Sequence, residues 1–406
     1  FFPEATSIEP AAGRSHLARV EAPSGVWAVR QWPAGTPRTR LDFVHALLKE
    51  SRDAGIAFVP EVAARPDDGT VIAIGGSFYD AESWLPGRAP TRGLDLVDDR
   101  GRGINRPAPL PATTMTAVVR AVASWHRVTQ DMAGRNDVPQ APLDAVLRAV
   151  RSTWEEQRRR LRPLAPRTPH IQRWLRSGEV VLAGAVDSLA TVDFLRGRPL
   201  VIGHLNLWPA HLLVSRVEGH EEISGLIDFA DAAASSPLVD LVQLIARFNG
   251  WTGSAAEEAI GAYVAERPLA PEERRSLPAV AGLDLVVETG RLLTLGYATP
   301  AVVQSGRAET VRNGAAMLLL SLEAVTPAVQ RGDRPEPSRA RKWDYSTRRG
   351  GSTARRGGGP TTPTRSAKPA DSRPRSGPPD RRAGKRSPGR SEEGAEERRR
   401  GRPDHQ

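Results

Sequence analysis

The 406-residue chain contains no cysteine, which excludes disulfide bonds, cysteine-ligated zinc sites and thiol catalysis. It also has no run of 18 residues free of charge, so no segment of the sequence is predicted to cross a membrane. Lysine is scarce, because Lys49 is the only lysine before residue 342. The hydrophobic share of 39% is nevertheless sufficient for a sizeable core. A globular enzyme or binding protein is the default interpretation, and we expect it in the cytoplasm.

Residues 331–406 lack Val, Ile, Leu, Met and Phe and are rich in Gly, Pro, Ser and Arg. Such a segment cannot bury enough apolar surface to offset its conformational entropy, so we predict a disordered tail. The tail holds 22 basic and 10 acidic residues and therefore accounts for the positive charge of the whole chain. A solvated extension is the favoured interpretation, and contact of its arginine clusters with nucleic acid is the alternative.

Residues 1–87 predict a small β-rich lobe. Two alternating runs flank the turn sequence Ala22-Pro-Ser-Gly25, which indicates an antiparallel hairpin. Apolar residues at positions 41, 44, 47 and 48 share one helical face. The predicted strands cover residues 16–21, 26–32, 71–74 and 78–84, and the predicted helix covers residues 41–52.

Residues 88–112 are rich in Gly, Pro and charge and predict a hinge and loop between two lobes. The pattern is helical over residues 116–128 and 143–162, returns to short strands over 199–229, and is helical again to about residue 328. The sequence thus predicts an α+β protein with a small β-rich N-lobe and a larger α-rich C-lobe over residues 113–330.

The segment between the two stretches of C-lobe helix carries the chemistry. A buried strand is followed by His204-Leu-Asn206-Leu-Trp-Pro-Ala-His211, and a second strand leads into Ile227-Asp228-Phe-Ala-Asp231. A hairpin turn centred on Gly219-His220 would place residues whose numbers sum to 439 opposite each other. His211 would then face Asp228, with a metal-sized site between them.

These motifs resemble the aminoglycoside phosphotransferase and choline-kinase-like family. Its catalytic loop reads His-Gly-Asp-x-x-x-x-Asn, its metal motif reads Ile-Asp-Phe or Ile-Asp-Trp, and Trp84-Leu-Pro-Gly87 is similar to its hinge. The resemblance covers residues 8–328. It implies a two-lobed protein-kinase-like fold with ATP between the lobes, Mg²⁺, and a small molecule that accepts phosphate on a hydroxyl group.

The resemblance also assigns the nucleotide site. Arg30 stands on the strand where the family has a phosphate-holding lysine, and the two side chains are not interchangeable. Glu50, in the next helix, either orients Arg30 or is a solvated residue of the helix surface. Ser83 and Trp84 are expected to contact the nucleotide at the hinge. The loop at residues 11–15 either covers the phosphates or forms an ordinary turn.

Asp228, at a strand end after Gly-Leu-Ile, is the candidate magnesium ligand, because a carboxylate is a hard oxygen donor, and a structural aspartate is the alternative. His211 replaces the family's asparagine, and it either binds a softer ion, hydrogen-bonds Asp228 or packs. Asn206 replaces the catalytic aspartate and cannot accept a proton, so a general-base contribution of roughly 10²–10⁴ in rate should be lost. His204 is either a substitute base or a brace for the loop, and the brace is favoured. Asp231 either supports a second ion or caps the next segment.

Two functions follow from this pattern. The first is an ATP-dependent phosphotransferase of weak activity, in which the Asn206 carbonyl still orients the acceptor hydroxyl. The second is a pseudokinase that serves as a nucleotide-binding or regulatory module, which the joint departures at Arg30, Asn206 and His211 favour. In both, Asp240 is expected to hold the loop backbone at a helix start rather than contact substrate.

Overall fold

The computed structural model describes residues 1–10, 16–65, 67, 69–90, 110–141, 143–189, 200–251, 253–304 and 306–331. These residues belong to one unit, Phe1–Arg341. The predicted phosphate-covering loop at residues 11–15 lies outside the described residues. So does the predicted disordered tail, apart from Arg331, which is the last residue of a helix.

The N-terminal part of the chain forms a five-stranded antiparallel sheet with one helix inserted after its third strand. Hydrogen bonding orders the strands β1-β2-β3-β5-β4. The strands are β1 (Ser7–Pro10), β2 (Leu17–Ala22), β3 (Gly25–Gln31), β4 (Ile72–Ile74) and β5 (Ser77–Ser83), and the helix is α1 (Arg38–Asp53).

Local sequence signals account for most of this lobe. The predicted hairpin is confirmed, with Ala22 paired to Gly25 across its two-residue turn. The predicted helical face is confirmed too, since its four apolar residues are fully buried. Helix α1 begins three residues before the predicted position 41 and ends at Asp53, shortly before Gly55, whose φ of 88° stops the helix.

The connection from β5 to the second lobe runs along a hairpin of that lobe. The backbone N–H of Arg88 donates to the carbonyl of Val214 at 3.1 Å, and the N–H of Val214 donates back at 2.8 Å. Gly87 is tightly enclosed at a φ of 104°, where an added Cβ would lie 2.8 Å from the Val214 carbonyl. Residues 91–109 of the predicted inter-lobe loop lie outside the described residues, and the chain resumes just before the next helix.

The C-lobe is mainly helical and includes two short strand pairs, β6 with β9 and β7 with β8. The helices α4 and α9 both pack on α7, the longest described helix. None of the described helices is long and apolar enough to span a membrane. The elements are α2 (Ala112–Thr129), α3 (Leu143–Leu161), α4 (Pro169–Leu189), β6 (Val201–Gly203), β7 (Leu212–Val217), β8 (His220–Leu226), β9 (Ala233–Ser235), α5 (Pro237–Leu244), α6 (Gly253–Glu266), α7 (Pro271–Ala298), α8 (Pro300–Gln304) and α9 (Ala308–Arg331).

The register predicted for the β7–β8 hairpin is wrong. Val217 pairs with His220, so the turn consists of Glu218 and Gly219 instead of Gly219 and His220. Both turn residues have positive φ, 48° and 89°, as a type I′ turn requires. A bulge between Leu213 and Val214 then shifts the register by one residue toward the open end of the hairpin.

Candidate active site

A buried carboxylate holds the loop that follows β6. Asp240, on α5, is fully buried and accepts hydrogen bonds from the backbone N–H groups of His204 at 2.6 Å and Leu205 at 2.8 Å. Burial alone would raise the pKa of Asp240, but hydrogen bonds and charge from His126 outweigh it and hold the pKa below its usual value. The expected role of Asp240 as an anchor for the loop backbone agrees with these contacts.

The loop carries backbone strain next to Asn206. Leu205 has a φ of 63°, in the left-handed region that a branched side chain rarely adopts. The amide of Gln243 fixes this conformation, because it donates to the Leu205 carbonyl at 3.1 Å and accepts from the N–H of Leu207 at 2.8 Å. The family's loop has glycine at this position, so the surrounding hydrogen bonds must hold a strain of about 1–3 kcal/mol.

Asn206 lies between two other predicted site residues. Its Nδ2 donates to Oδ2 of Asp231 at 3.0 Å, and its backbone carbonyl accepts from Nδ1 of His211 at 2.7 Å. The amide nitrogen is thus directed to a carboxylate, and the amide oxygen, Oδ1, makes no hydrogen bond within the described part of the chain. That oxygen can accept a hydrogen bond from a hydroxyl group, but it cannot remove a proton.

His211 and Asp228 face each other, as the sequence predicted. Nε2 of His211 lies 3.4 Å from Oδ2 of Asp228, although the register from which this was predicted is wrong. Because Nδ1 of His211 donates to the Asn206 carbonyl, a neutral ring has its lone pair on Nε2, directed toward the carboxylate. Asp228 itself adopts a left-handed conformation, with φ 68° and ψ 61°. Two electron-pair donors therefore converge on one point.

The assignment of His204 as a catalytic residue is not supported by its position. The ring is fully buried and donates from Nε2 to the Ile227 carbonyl at 2.9 Å, and Nδ1 has no hydrogen-bond partner. Burial lowers the pKa of His204, so the ring is neutral. It also packs against Phe229, with 5.1 Å between ring centroids. His204 ties the Asn206 loop to the backbone directly before Asp228 and is a positioning residue.

Arg30 extends from β3 into a cluster of buried carboxylates. Its Nη2 donates to Asp80 at 2.9 Å and to Glu82 at 2.6 Å, and its guanidinium stacks 4.2 Å from the centre of the Trp32 ring. Burial disfavours the charge of Arg30, but Glu82 and Asp80 outweigh burial and raise its pKa. The carboxylate of Asp228 acts on Arg30 in the same direction, so charge interactions connect the N-lobe cluster with the C-lobe site.

A family comparison agrees with this geometry. The model of the phosphotransferase enzyme family, APH, matches residues 7–283. The chain belongs to this family. The family assignment accounts for the two-lobed fold and for the order of motifs around Asp228.

Solved structures of phosphotransferases share the fold. An aminoglycoside phosphotransferase from Alicyclobacillus acidocaldarius superposes with a TM-score of 0.54 at 14% identity, covering 80% of this chain and 94% of that one. The microcompartment-associated aminopropanol kinase superposes with a TM-score of 0.56 at 15% sequence identity, and the match covers 81% of this chain and 95% of that one. APH(2″)-IIIa, in complex with GDP and kanamycin, superposes with a TM-score of 0.53 at 16% sequence identity, and the match covers 79% of this chain and 94% of that one. No curated protein sequence matches the chain.

Within this phosphotransferase fold, Glu50 does not orient Arg30. Of the two roles that the sequence left open for Glu50, orientation of Arg30 is therefore wrong. Its carboxylate pairs with Nη1 of Arg135 at 2.8 Å, and both side chains are about two-fifths exposed. The residue of α1 that reaches the cluster is His45, whose Nε2 lies 3.0 Å from Oδ2 of Asp80. No sequence pattern marks this pairing, because it depends on how α1 packs against the sheet.

The predicted hinge residues Ser83 and Trp84 use some of their hydrogen-bonding groups for contacts within the N-lobe. The Ser83 hydroxyl accepts from the N–H of Glu61 at 2.9 Å, and the Ser83 N–H donates to the Glu61 carbonyl at 2.7 Å. The Trp84 N–H donates to the Val26 carbonyl, and the Trp84 ring is 42% exposed. Nucleotide contact at this hinge therefore depends on the exposed ring and on the remaining backbone groups.

The geometry around Asp228 fits a cation that is shared with phosphate. Among the described residues, no group of three or more His, Cys, Asp or Glu side chains forms a closed metal site. Magnesium needs no such cage, since it commonly binds through one or two carboxylates together with phosphate oxygens and water. Asp228 would supply an oxygen ligand to such a cation, and Nε2 of His211 would be a second donor, because the other ring nitrogen of His211 is fixed by the Asn206 carbonyl.

A cavity of about 250 Å³, which sequence reasoning missed, adjoins the loop at Leu205. Most of its lining is aliphatic and comes from α3, α5 and α7, and its acidic groups are Asp284 and Glu288. Both acidic groups are paired: Nη2 of Arg247 lies 2.6 Å from Asp284, and Nε of Arg291 lies 2.7 Å from Glu288. The cavity therefore has little uncompensated negative charge.

Proposed function

We propose that the protein transfers the terminal phosphoryl group of ATP to a hydroxyl group of a small molecule, with weak activity. The observation that carries this proposal is the convergence of His211 and Asp228 on one point, 3.4 Å apart, beside Asn206. Family membership supports the reaction class. The nucleotide and the cation are those that the family resemblance implies, and the acceptor class is inferred from the cavity beside Leu205.

Each role falls to a residue of this chain. Nη1 of Arg30, which makes no hydrogen bond within the described residues, is available for the phosphates. Asp228 and His211 would hold Mg²⁺, which neutralises charge on the phosphates. The amide oxygen of Asn206 orients the acceptor hydroxyl. The acceptor oxygen bonds to the γ-phosphorus as the bond to the β–γ bridging oxygen breaks, and the hydroxyl proton leaves to water because Asn206 cannot take it.

The rate should be low but measurable. Without a general base, the reaction loses a factor of roughly 10²–10⁴. Phosphoryl transfer proceeds through a loose transition state, in which positioning and charge stabilisation supply most of the acceleration. The protein retains these two contributions through Asn206 and through the cation site at Asp228.

We further propose that the acceptor is a compact and largely aliphatic alcohol with at most one positive charge. The cavity beside Leu205 is small, and its two carboxylates are already neutralised by arginines. Burial raises the pKa of Asp284, although the charge of Arg247 opposes this shift. A polycationic acceptor would find no free carboxylate in this cavity. A panel of small alcohols and multiply charged amino sugars tests the proposal, and faster turnover of the amino sugars would contradict it.

The second candidate is a pseudokinase that binds nucleotide without turnover. It is favoured by Arg30, whose Nε and Nη2 groups are both bound to carboxylates, and by the amide at position 206. The variant Asn206→Asp separates the two candidates. If the site is a weakened kinase, the variant should raise ATP turnover by about a hundredfold or more. No gain, together with intact nucleotide binding, would favour the pseudokinase.

Calorimetry with ATP and Mg²⁺ tests the assumption common to both candidates. We expect magnesium-dependent binding that Asp228→Ala weakens strongly, because the variant removes the oxygen ligand. Asp53→Ala is a matched control, since Asp53 is exposed and pairs with Lys49 at the far end of α1. Absence of nucleotide binding by the natural protein would overturn both candidates.

A further inference from the structure

Arg30 is held by two carboxylates and an aromatic ring, which leave its side chain little freedom. Its Nε donates to Oδ1 of Asp80 at 3.3 Å, and its Nη2 donates to Oδ2 of Asp80 and to Glu82. The ring of Trp32 covers one face of the guanidinium. The direction of the free Nη1 therefore follows from the position of Asp80, which binds Arg30 through two hydrogen bonds.

Asp80 is in turn fixed by two other side chains. It is fully buried and accepts from Nε1 of Trp32 at 2.8 Å and from Nε2 of His45 at 3.0 Å. Arg30 lies near the end of β3, Trp32 directly follows that strand, and Asp80 lies on the neighbouring β5. His45 is therefore the one described side chain from a helix that hydrogen-bonds Asp80.

The ring of His45 cannot turn without losing a bond. Nε2 faces a carboxylate and donates to it, and Nδ1 of a neutral ring accepts from the hydroxyl of Thr70 at 2.7 Å. The residue is 6% exposed, so water does not readily replace either partner. A hydrogen bond to an ionised carboxylate is stronger than one between neutral groups, so loss of the His45–Asp80 bond should be felt at Asp80.

Glu50 cannot take over this role from its position on α1. Five residues separate it from His45, which corresponds to a rotation of about 140° around the helix. Its carboxylate lies on an exposed face beside Arg135. Thus only the His45 face of α1 is turned toward Arg30.

We infer that His45 is a positioning residue that couples helix α1 to Arg30 through Asp80. This inference rests on the proposed function, because it assigns to Arg30 the contact with nucleotide phosphate. A displacement of α1 would move Asp80 and redirect Nη1 of Arg30, so the position of the helix controls how well phosphate is held.

Two substitutions at position 45 separate the contacts of the two ring nitrogens. His45→Gln places an amide donor near the position of Nε2 and retains the hydrogen bond to Asp80. His45→Asn reaches only as far as Nδ1 and leaves Asp80 without its donor from α1. His170→Asn makes the same chemical change at a half-buried position on α4 and serves as the control.

The first readout is the affinity of the full chain for ATP with Mg²⁺, measured by calorimetry. We expect His45→Asn to weaken binding by about tenfold or more, and His45→Gln and His170→Asn to remain within about threefold of the natural protein. Thermal unfolding of each variant shows that it is folded. The inference is overturned if His45→Asn is folded and binds as tightly as the natural protein, or if His45→Gln loses as much affinity as His45→Asn.

The second readout does not depend on nucleotide. The Nε–H of Arg30, bound to a buried carboxylate, should give a slowly exchanging arginine resonance, assigned through its loss in Arg30→Lys. We expect this resonance to keep its protection in His45→Gln and to lose it in His45→Asn. If the natural protein binds no nucleotide, the proposed function fails while this measurement still decides whether His45 positions Arg30. Equal protection in both variants would overturn the inference.

Discussion

Arg40 of the N-lobe donates two hydrogen bonds, at 2.8 and 2.5 Å, to the carbonyl oxygen of Ala230 in the C-lobe. Ala230 lies two residues after Asp228. The next residue, Asp231, accepts the hydrogen bond from Asn206. Helix α1 thus contacts the segment that sets Asp228 and Asn206, in addition to its contact with the Arg30 cluster through His45.

Arg40→Met should impair the transfer reaction. The variant leaves the Ala230 carbonyl without its charged donor and loosens the segment after Asp228. We expect kcat/KM for ATP to fall by about tenfold or more, with a smaller change in the melting temperature. Arg38→Met is the control, because Arg38 is half exposed and its side chain pairs with Asp42 on the same helix. Equal effects of the two substitutions would contradict the inter-lobe role of Arg40.

Asp240→Asn should destabilise the protein in a pH-dependent way. Asp240 is buried and paired with His126, and disruption of such a pair costs about 3–5 kcal/mol. Because the folded-state pKa is lowered, the contribution of Asp240 is fully present above its unfolded pKa of about 3.9 and is lost as pH falls through the folded pKa. Denaturant unfolding should show a constant difference between the natural protein and the variant above about pH 5 and a shrinking one on acidification. A difference independent of pH would contradict this.

Glu82→Gln should reveal a pH dependence of stability opposite in sign to that of Asp240, because Glu82 stabilises the folded protein less as pH rises. Burial raises the pKa of Glu82 despite the opposing charge of Arg30, so the folded state binds its proton more tightly than the unfolded state. The free energy of unfolding of the natural protein should therefore fall as pH rises from the usual pKa of a glutamate through the raised value. Glutamine still accepts from Arg30 but has no proton to lose, so the variant should lack this decrease in unfolding measurements. Identical pH profiles would show that Glu82 does not titrate in this window.

His211→Asn should change the preferred metal ion. An amide oxygen suits magnesium better than an imidazole nitrogen does, and an imidazole suits softer ions such as zinc. We expect the ratio of nucleotide affinity with Mg²⁺ to that with Zn²⁺ to increase in the variant. The measurement is calorimetry of ATP binding with each ion. An unchanged ratio would mean that His211 contacts Asp228 without binding the cation.

The sequence predicted those elements whose signals are local. The turn residues of the β2–β3 hairpin and the apolar face of α1 gave elements that the structure confirms. Helix α4 was not predicted, although Trp174 and Val181 on it are deeply buried. The β7–β8 register was predicted wrongly because Glu218 is an unusual residue for a positive φ, and no sequence pattern marks the bulge beside Val214.

The sequence by itself determined that His211 and Asp228 would meet, because both flank one hairpin, and an error of one residue in register still leaves the side chains in contact. Only the tertiary structure decided what holds Arg30. Its partners lie on β5 and, through Asp80, on α1, and the choice of His45 over Glu50 depends on the rotation of that helix against the sheet. Helical periodicity defines which residues share a face, but packing against the rest of the lobe decides which face is turned toward the site.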